Sequence, residues 1–334
     1  MKKSLIALAV LGASGFAMAQ SSVTLYGVAD AGLARAQTYV GGPGTGAGTL
    51  AAWALGADKT SRTGMSSADT MNNGNSRLGV RGVEDLGGGL KAGFNFESGL
   101  SLKDGEAKGS GGGFWGRAAN MYVGGGWGTF LMGRTLNPSF FALATYELTG
   151  TANYSVIGNT YSFTGIGPRS SSLFQYKTPN FGGFSGTLGY VFKDDNSGNA
   201  KWDANLIYAN GPIAASLGVN KTKDQPTNFA LGGKYNFGQF VVAASYHNIG
   251  VNAAGTEYRR RGFAIGGTAN FGPASVTLDL TRDTKNEVTG VYGHKFTNVL
   301  LEGKYSLSKR TFAYAAYLKL DGTNNYGVGL RHNF

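Results

Sequence analysis

The sequence predicts an all-β fold, a 16-stranded antiparallel transmembrane β-barrel, and three observations carry that prediction. Apolar residues alternate with small or polar ones along most of the chain, as strands with one apolar and one wet face require. The connections between these segments alternate strictly between short and long, the pattern of an up-and-down barrel with turns on one side of a membrane and loops on the other. Beyond the opening residues there is no run of about 18 to 20 apolar side chains, so no membrane helix competes.

The first nineteen residues read as a secretory signal. Lys2 and Lys3 form its basic start, Leu5 to Leu11 its apolar stretch, and Ala17-Met18-Ala19 a small-residue cleavage site. The apolar stretch is too short to span a bilayer. The barrel is expected over 20–334, and loss of the two lysines takes the formal charge from +11 to +9.

Strands are expected near 22–33, 75–84, 88–98, 115–124, 127–135, 170–178, 183–193 and 201–210. The second half gives 212–221, 227–237, 239–248, 259–270, 273–283, 297–307, 309–319 and 325–334. Tight turns such as Asp85-Leu-Gly-Gly88, Asn210-Gly-Pro212 and Asn236-Phe-Gly238 alternate with polar loops near 34–74, 99–114, 136–169 and beyond. Parity then sorts faces. Ile213, Ala215, Leu217 and Val219 oppose Ser216, Gly218 and Asn220, and aromatic residues gather towards strand ends as interfacial girdles do. Nothing divides the chain into further domains.

Composition agrees. Cysteine is absent, which removes disulfides and thiolate metal sites. The 56 glycines lack the three-residue period of collagen and suit coiled strands around a lumen. The basic balance favours anionic lipid or anionic solutes over nucleic acid, which an exported chain seldom meets.

Four stretches carry a family resemblance: Ser22-Val-Thr-Leu-Tyr-Gly-Val-Ala-Asp30, the hairpin from Ser76 to Ala92, Gly128-Thr129 through Gly133-Arg134, and Tyr176-Lys-Thr-Pro179. In these the chain resembles the general diffusion porins of Gram-negative bacteria, of the β-proteobacterial and neisserial type. The resemblance implies a homotrimer of barrels in the outer membrane, each narrowed by its third loop folding inwards. The closing alternation from Tyr326 to Phe334 resembles the signal by which the outer-membrane barrel assembly machinery recognises its substrates.

Candidate site residues follow from the third loop and from lumen charge. The third loop, near 136–169, is long and rich in aromatics, and Glu147 is its one charged residue before Arg169. Arg77, Arg81, Arg117, Arg134, Arg169 and Lys177 lie in or beside the strands expected to build the narrowest zone, and basic rings there favour anions. By resemblance, Arg77 and Arg117 match a basic cluster on the barrel wall, while Gln175 falls where some relatives carry a third arginine. Five carboxylates, Asp30, Glu97, Asp203, Asp279 and Glu302, share the lumen parity and oppose that reading. Arg259 and Arg261 fall on the lipid parity near an outer strand end, where they suit lipopolysaccharide phosphates or plain solvation.

Enzyme chemistry finds no foothold. His247, His294 and His332 are the only histidines, with no paired-ligand spacing, and Ser245 beside His247 is too little for a nucleophile site. No cofactor is expected. The expected function is a water-filled passive diffusion channel for small hydrophilic solutes and ions, with anions preferred. A solute-specific channel for a sugar or carboxylate is the alternative, and a barrel plugged by its own loops is a third reading.

Overall fold

The computed structural model describes residues 22–39, 59–107, 113–253, 255–287 and 294–334; the expected signal, 1–19, lies outside the described residues. Seventeen strand segments form one antiparallel sheet: β1 Ser22–Tyr39, β2 Lys59–Ser66, β3 Arg77–Gly87, β4 Leu90–Gly99, β5 Ala118–Gly125, β6 Gly128–Leu136, β7 Arg169–Lys177 and β8 Phe184–Val191 open it. β9 Lys201–Asn210, β10 Ile213–Thr222, β11 Asn228–Asn236, β12 Phe240–Ala253, β13 Thr256–Phe271, β14 Ala274–Asn286, β15 Thr297–Ser306, β16 Thr311–Leu320 and β17 Thr323–Asn333 complete it.

The barrel has sixteen staves because β2 and β3 share one. Along one edge β1 pairs with β17, from Val28↔Asn333 to Arg35↔Tyr326. Along its other edge it pairs with β3 over Ser22–Val28 and with β2 over Gly32–Tyr39. The first connection therefore differs from the loop expected over 34–74. β1 continues to Tyr39, β2 returns beside it, and only then does the chain leave the wall.

Closure leaves no free edge, which is what lipid demands of a sheet. Outward side chains such as Leu188, Leu217, Leu231, Ile265 and Leu278 stand exposed to that lipid. Aromatic rims flank them. Trp127 stacks on Tyr176 and Tyr235 meets Phe237 near the short turns, while Tyr190 meets Phe192 and Tyr317 meets Tyr326 towards the long loops.

The third loop folds into the lumen, as expected, and carries two helices that were not expected. α1, Pro138–Tyr146, begins with proline where a missing N–H costs nothing. It lies against β9, β10 and β11, where inward Gly218 and Gly232 leave room for Ala142 and Tyr146: a Cβ on either glycine would come within 3.0 Å and 2.7 Å of them. α2, Val156–Thr160, lies against β14–β16. Leu143, Tyr146, Tyr154, Ile157 and Tyr161 of the loop meet Ile249, Ala264, Leu300 and Leu318 of the wall in one buried cluster. This apolar seat holds the loop inside the barrel rather than across its mouth.

Candidate functional site

Four arginines from distant parts of the sequence converge where the third loop crosses the lumen. Arg77 comes from β3, Arg117 from the approach to β5, Arg169 from the first position of β7 and Arg331 from β17. All four line one cavity of about 460 Å³. Phe140, Phe163, Asn153 and Asn159 of the third loop line it too, as do residues 68–70 and 73–75, tied to Arg331 through Asn73.

Those last residues belong to a return segment, 67–76, that enters the lumen between β2 and β3. Asp30 on β1 holds it: its carboxylate accepts from Gly74 N at 2.9 Å, Asn72 Nδ2 at 3.1 Å and the Tyr314 hydroxyl at 2.6 Å. Asn73 donates to Tyr154 Oη at 2.8 Å and accepts from Arg331 Nη1 at 2.8 Å, which ties the segment to the third loop and to the closing strand.

The arginines are tethered mostly through Nε. Arg117 Nε meets Glu97 Oε1 at 2.7 Å, and Arg77 Nε lies 3.4 Å from Glu97 Oε2. Arg169 Nε donates to the carbonyl oxygen of Arg117 at 2.8 Å. A guanidinium has five N–H donors, so the terminal nitrogens of Arg117 and Arg169 are left to the cavity among the described residues. Fixing these long side chains beforehand removes rotamer entropy that a passing ion would otherwise have to overcome.

The opposing carboxylates are spent on structure. Asp30, Asp203, Asp279 and Glu302 are each at most 2% exposed. Asp203 accepts from Ser139 N and Oγ at the start of α1, at 2.9 Å and 2.7 Å, where the helix dipole favours negative charge. Glu302 pairs with Lys304 at 3.0 Å, and Lys304 also donates to Thr149 O. Glu147 turns back into its own loop, accepting from Thr149 N and Oγ1 and from Thr151 N. Asp69 lines the cavity but pairs with Lys103. Glu97, between Arg77 and Arg117, is outnumbered.

The remaining sequence candidates lie apart from the cavity. Arg81 sits four residues beyond Arg77 along β3 with its guanidinium 5.2 Å from the Tyr26 ring. Lys177 is exposed at the short-turn end of β7. Arg134 donates to Gly116 O and to Ser171 Oγ at 2.8 Å, where the pairing of β6 shifts register between Gly133 and Thr135. Arg259 is bound to Glu257 at 2.5 Å and to Thr227 O at 2.8 Å, and Arg261 Nε to Asn248 at 3.2 Å. Arg260, between them, points inwards and forks onto Asp283 and Asp321. Phe334 exchanges backbone hydrogen bonds with Gly27 at 3.0 and 3.1 Å, and its ring lies over that glycine. Ser245 and His247 are hydrogen-bonded at 2.9 Å but sealed beneath Tyr161, which stacks on the imidazole.

Arg331 is the residue that sequence reasoning left out of the constriction. It alternates with the outward Tyr326, Val328 and Leu330 and so faces the lumen, but its depth depends on the β1–β17 register and its company on residues 67–76.

A closed barrel with an apolar belt, a polar lumen and an inward loop defines an outer-membrane channel. The chain belongs to the Gram-negative porin family, whose model matches residues 4–325. It is 34% identical to outer membrane porin protein 32 of Delftia acidovorans, over 98% of this chain and 92% of that one. It is 26% identical to the major outer membrane protein P.IB of Neisseria gonorrhoeae, over the full length of both. Among solved structures, the anion-selective porin from Comamonas acidovorans superposes with a TM-score of 0.75 at 28% identity, covering 94% of this chain and all of that one. An outer membrane protein of Vibrio cholerae, at 17% identity and a TM-score of 0.66, shows the fold alone. The protein is an outer-membrane porin, a diffusion channel for small hydrophilic solutes.

Proposed function

We propose that this channel prefers small anions, and that Arg77, Arg117, Arg169 and Arg331 set the preference. One observation carries the reading: four guanidinium groups line the cavity while the lumen carboxylates are buried, paired or folded into their own loops. Unbalanced charge between low-dielectric walls raises the local concentration of counter-ions. The field reaches about 10 Å in 0.1 M salt, comparable to a narrow passage, and fades in more concentrated salt. The anion selectivity named for the Comamonas porin supports the same reading. Arg81 and Lys177, further along the wall, extend the field without shaping its narrowest part, and Arg134 and Glu147 contribute least. Reversal potentials in a salt gradient test the proposal.

Assembly follows the family resemblance. A homotrimer suits the aliphatic outer face of β1 and β3, where Val23, Leu25 and Leu78 stand exposed; cross-linking in detergent tests it. Of the two rim arginines, Arg261 is the better candidate for a lipopolysaccharide phosphate, because Arg259 already has a carboxylate partner. Phe334 is proposed as the residue that the barrel assembly machinery reads, and residues 1–19 as the signal removed on export.

A further inference from the structure

The cavity has two chemically different kinds of lining. Arg117 and Arg169 bring their terminal nitrogens to it as neighbouring forks, held together because Arg169 Nε is bonded to the Arg117 carbonyl. Phe140, from the first turn of α1, is half-buried in the same cavity and backed by the Phe163 ring at a centroid distance of 5.6 Å. Leu136 and Pro168, at the two ends of the third loop, border Arg169 and add apolar surface beside it. Selecting inorganic anions needs only charge, and hydrated chloride gains nothing from an apolar wall. An aromatic surface sharing a cavity with paired guanidinium forks fits a different solute: one with a planar apolar body and a carboxylate at its end.

We propose that this cavity is a binding subsite for small aromatic carboxylates, with the carboxylate on the terminal nitrogens of Arg117 and Arg169 and the ring against Phe140. The inference rests on the anion preference proposed above and adds a substrate class to it. The planar fork of an arginine matches a carboxylate through two parallel hydrogen bonds. Ring-on-ring contact contributes beyond simple burial and depends on a flat partner. Small ligands bind in clefts that combine apolar surface with placed polar groups, and this cavity offers both. The gain is modest, as a channel requires, since a solute held too firmly blocks its own passage.

The test is block of single-channel current through the full-length protein in planar bilayers, in KCl titrated with sodium benzoate or sodium propanoate. The two anions carry the same charge and differ in the ring. Benzoate is expected to reach half-block at a concentration about tenfold below propanoate, the scale of one well-placed aromatic contact. Phe140→Ala is expected to bring the two titrations together. Phe140→Leu, which keeps the apolar side chain and guards against a folding defect, is expected to fall between. Equal block by benzoate and propanoate in an anion-preferring wild-type channel overturns the subsite and leaves the anion preference standing. Discrimination that survives Phe140→Ala overturns it as well. A cation-selective reversal potential in KCl alone overturns the underlying anion preference.

Discussion

Asp203 holds Ser139 twice, by its backbone N–H and by its hydroxyl, and so fixes the start of α1 to the wall of β9. Asn205, two residues along, donates to Pro138 O at 2.7 Å, and Ser216 on the next strand donates to Ala142 O at 2.6 Å. The entry to the constriction is therefore set by the barrel wall rather than by the loop itself. Asp203→Ala removes two charge-assisted bonds and leaves a buried amide unpaired, a local loss of about 2 to 3 kcal/mol. The barrel should still fold, but with noisier open-channel current and faster proteolysis within 137–168. Unchanged noise and protection would show that the apolar seat of the loop suffices alone.

Arg260 makes a contrasting case. Its guanidinium lies between Asp283 and Asp321 near the long-loop end of the barrel, and Asn298 donates to Asp321 there and to Thr160 of α2. Arg260→Met strands two carboxylates without their cation, at a cost of about 3 to 5 kcal/mol. The expected result is a lower temperature for the heat-induced mobility shift in gels. Replacing all three together, by Met, Leu and Leu, should recover much of that loss. A triple variant no better than the single one would contradict the account of stranded charge.

At the closing seam, Phe334 covers Gly27 with its ring, whereas the Asn333 side chain accepts from Arg331 on the lumen side. Phe334→Asp should therefore reduce the folded, heat-modifiable fraction much more than Asn333→Asp. Equal fractions would contradict the two-residue parity of this strand.

How legible the protein is from its sequence varies with the surroundings of each segment. β9 spans 201–210 as expected, and most other staves agree within a few residues, because lipid on one face and water on the other impose a two-residue period. β2, Lys59-Thr-Ser-Arg-Thr-Gly-Met-Ser66, carries no such signal: it is mostly exposed and has few apolar side chains to alternate. α1 is similarly hidden, since Pro-Ser-Phe-Phe-Ala-Leu-Ala-Thr-Tyr is apolar on most sides, although its leading proline was a usable cue.

In the site, parity found Arg77 and the resemblance added Arg117. It could not find Arg331's company, because residues 67–76 enter the lumen only after β2 has paired with β1. Nor could it tell that Glu147 bends back onto Thr149 and Thr151, which is a matter of side-chain direction rather than position. The facing of Arg134 is ambiguous from sequence for a third reason, a register shift that breaks the count along β6.

The reversal potential across a planar bilayer bathed in unequal KCl concentrations tests the central claim most directly. The wild-type channel should favour chloride, more strongly in dilute salt than in concentrated salt. Arg77→Gln with Arg117→Gln should move the potential towards potassium while the folded barrel persists in gels. A wild-type channel that favours potassium would contradict the account, and would mean that Glu97 and Asp69 outweigh the four arginines at the narrowest section.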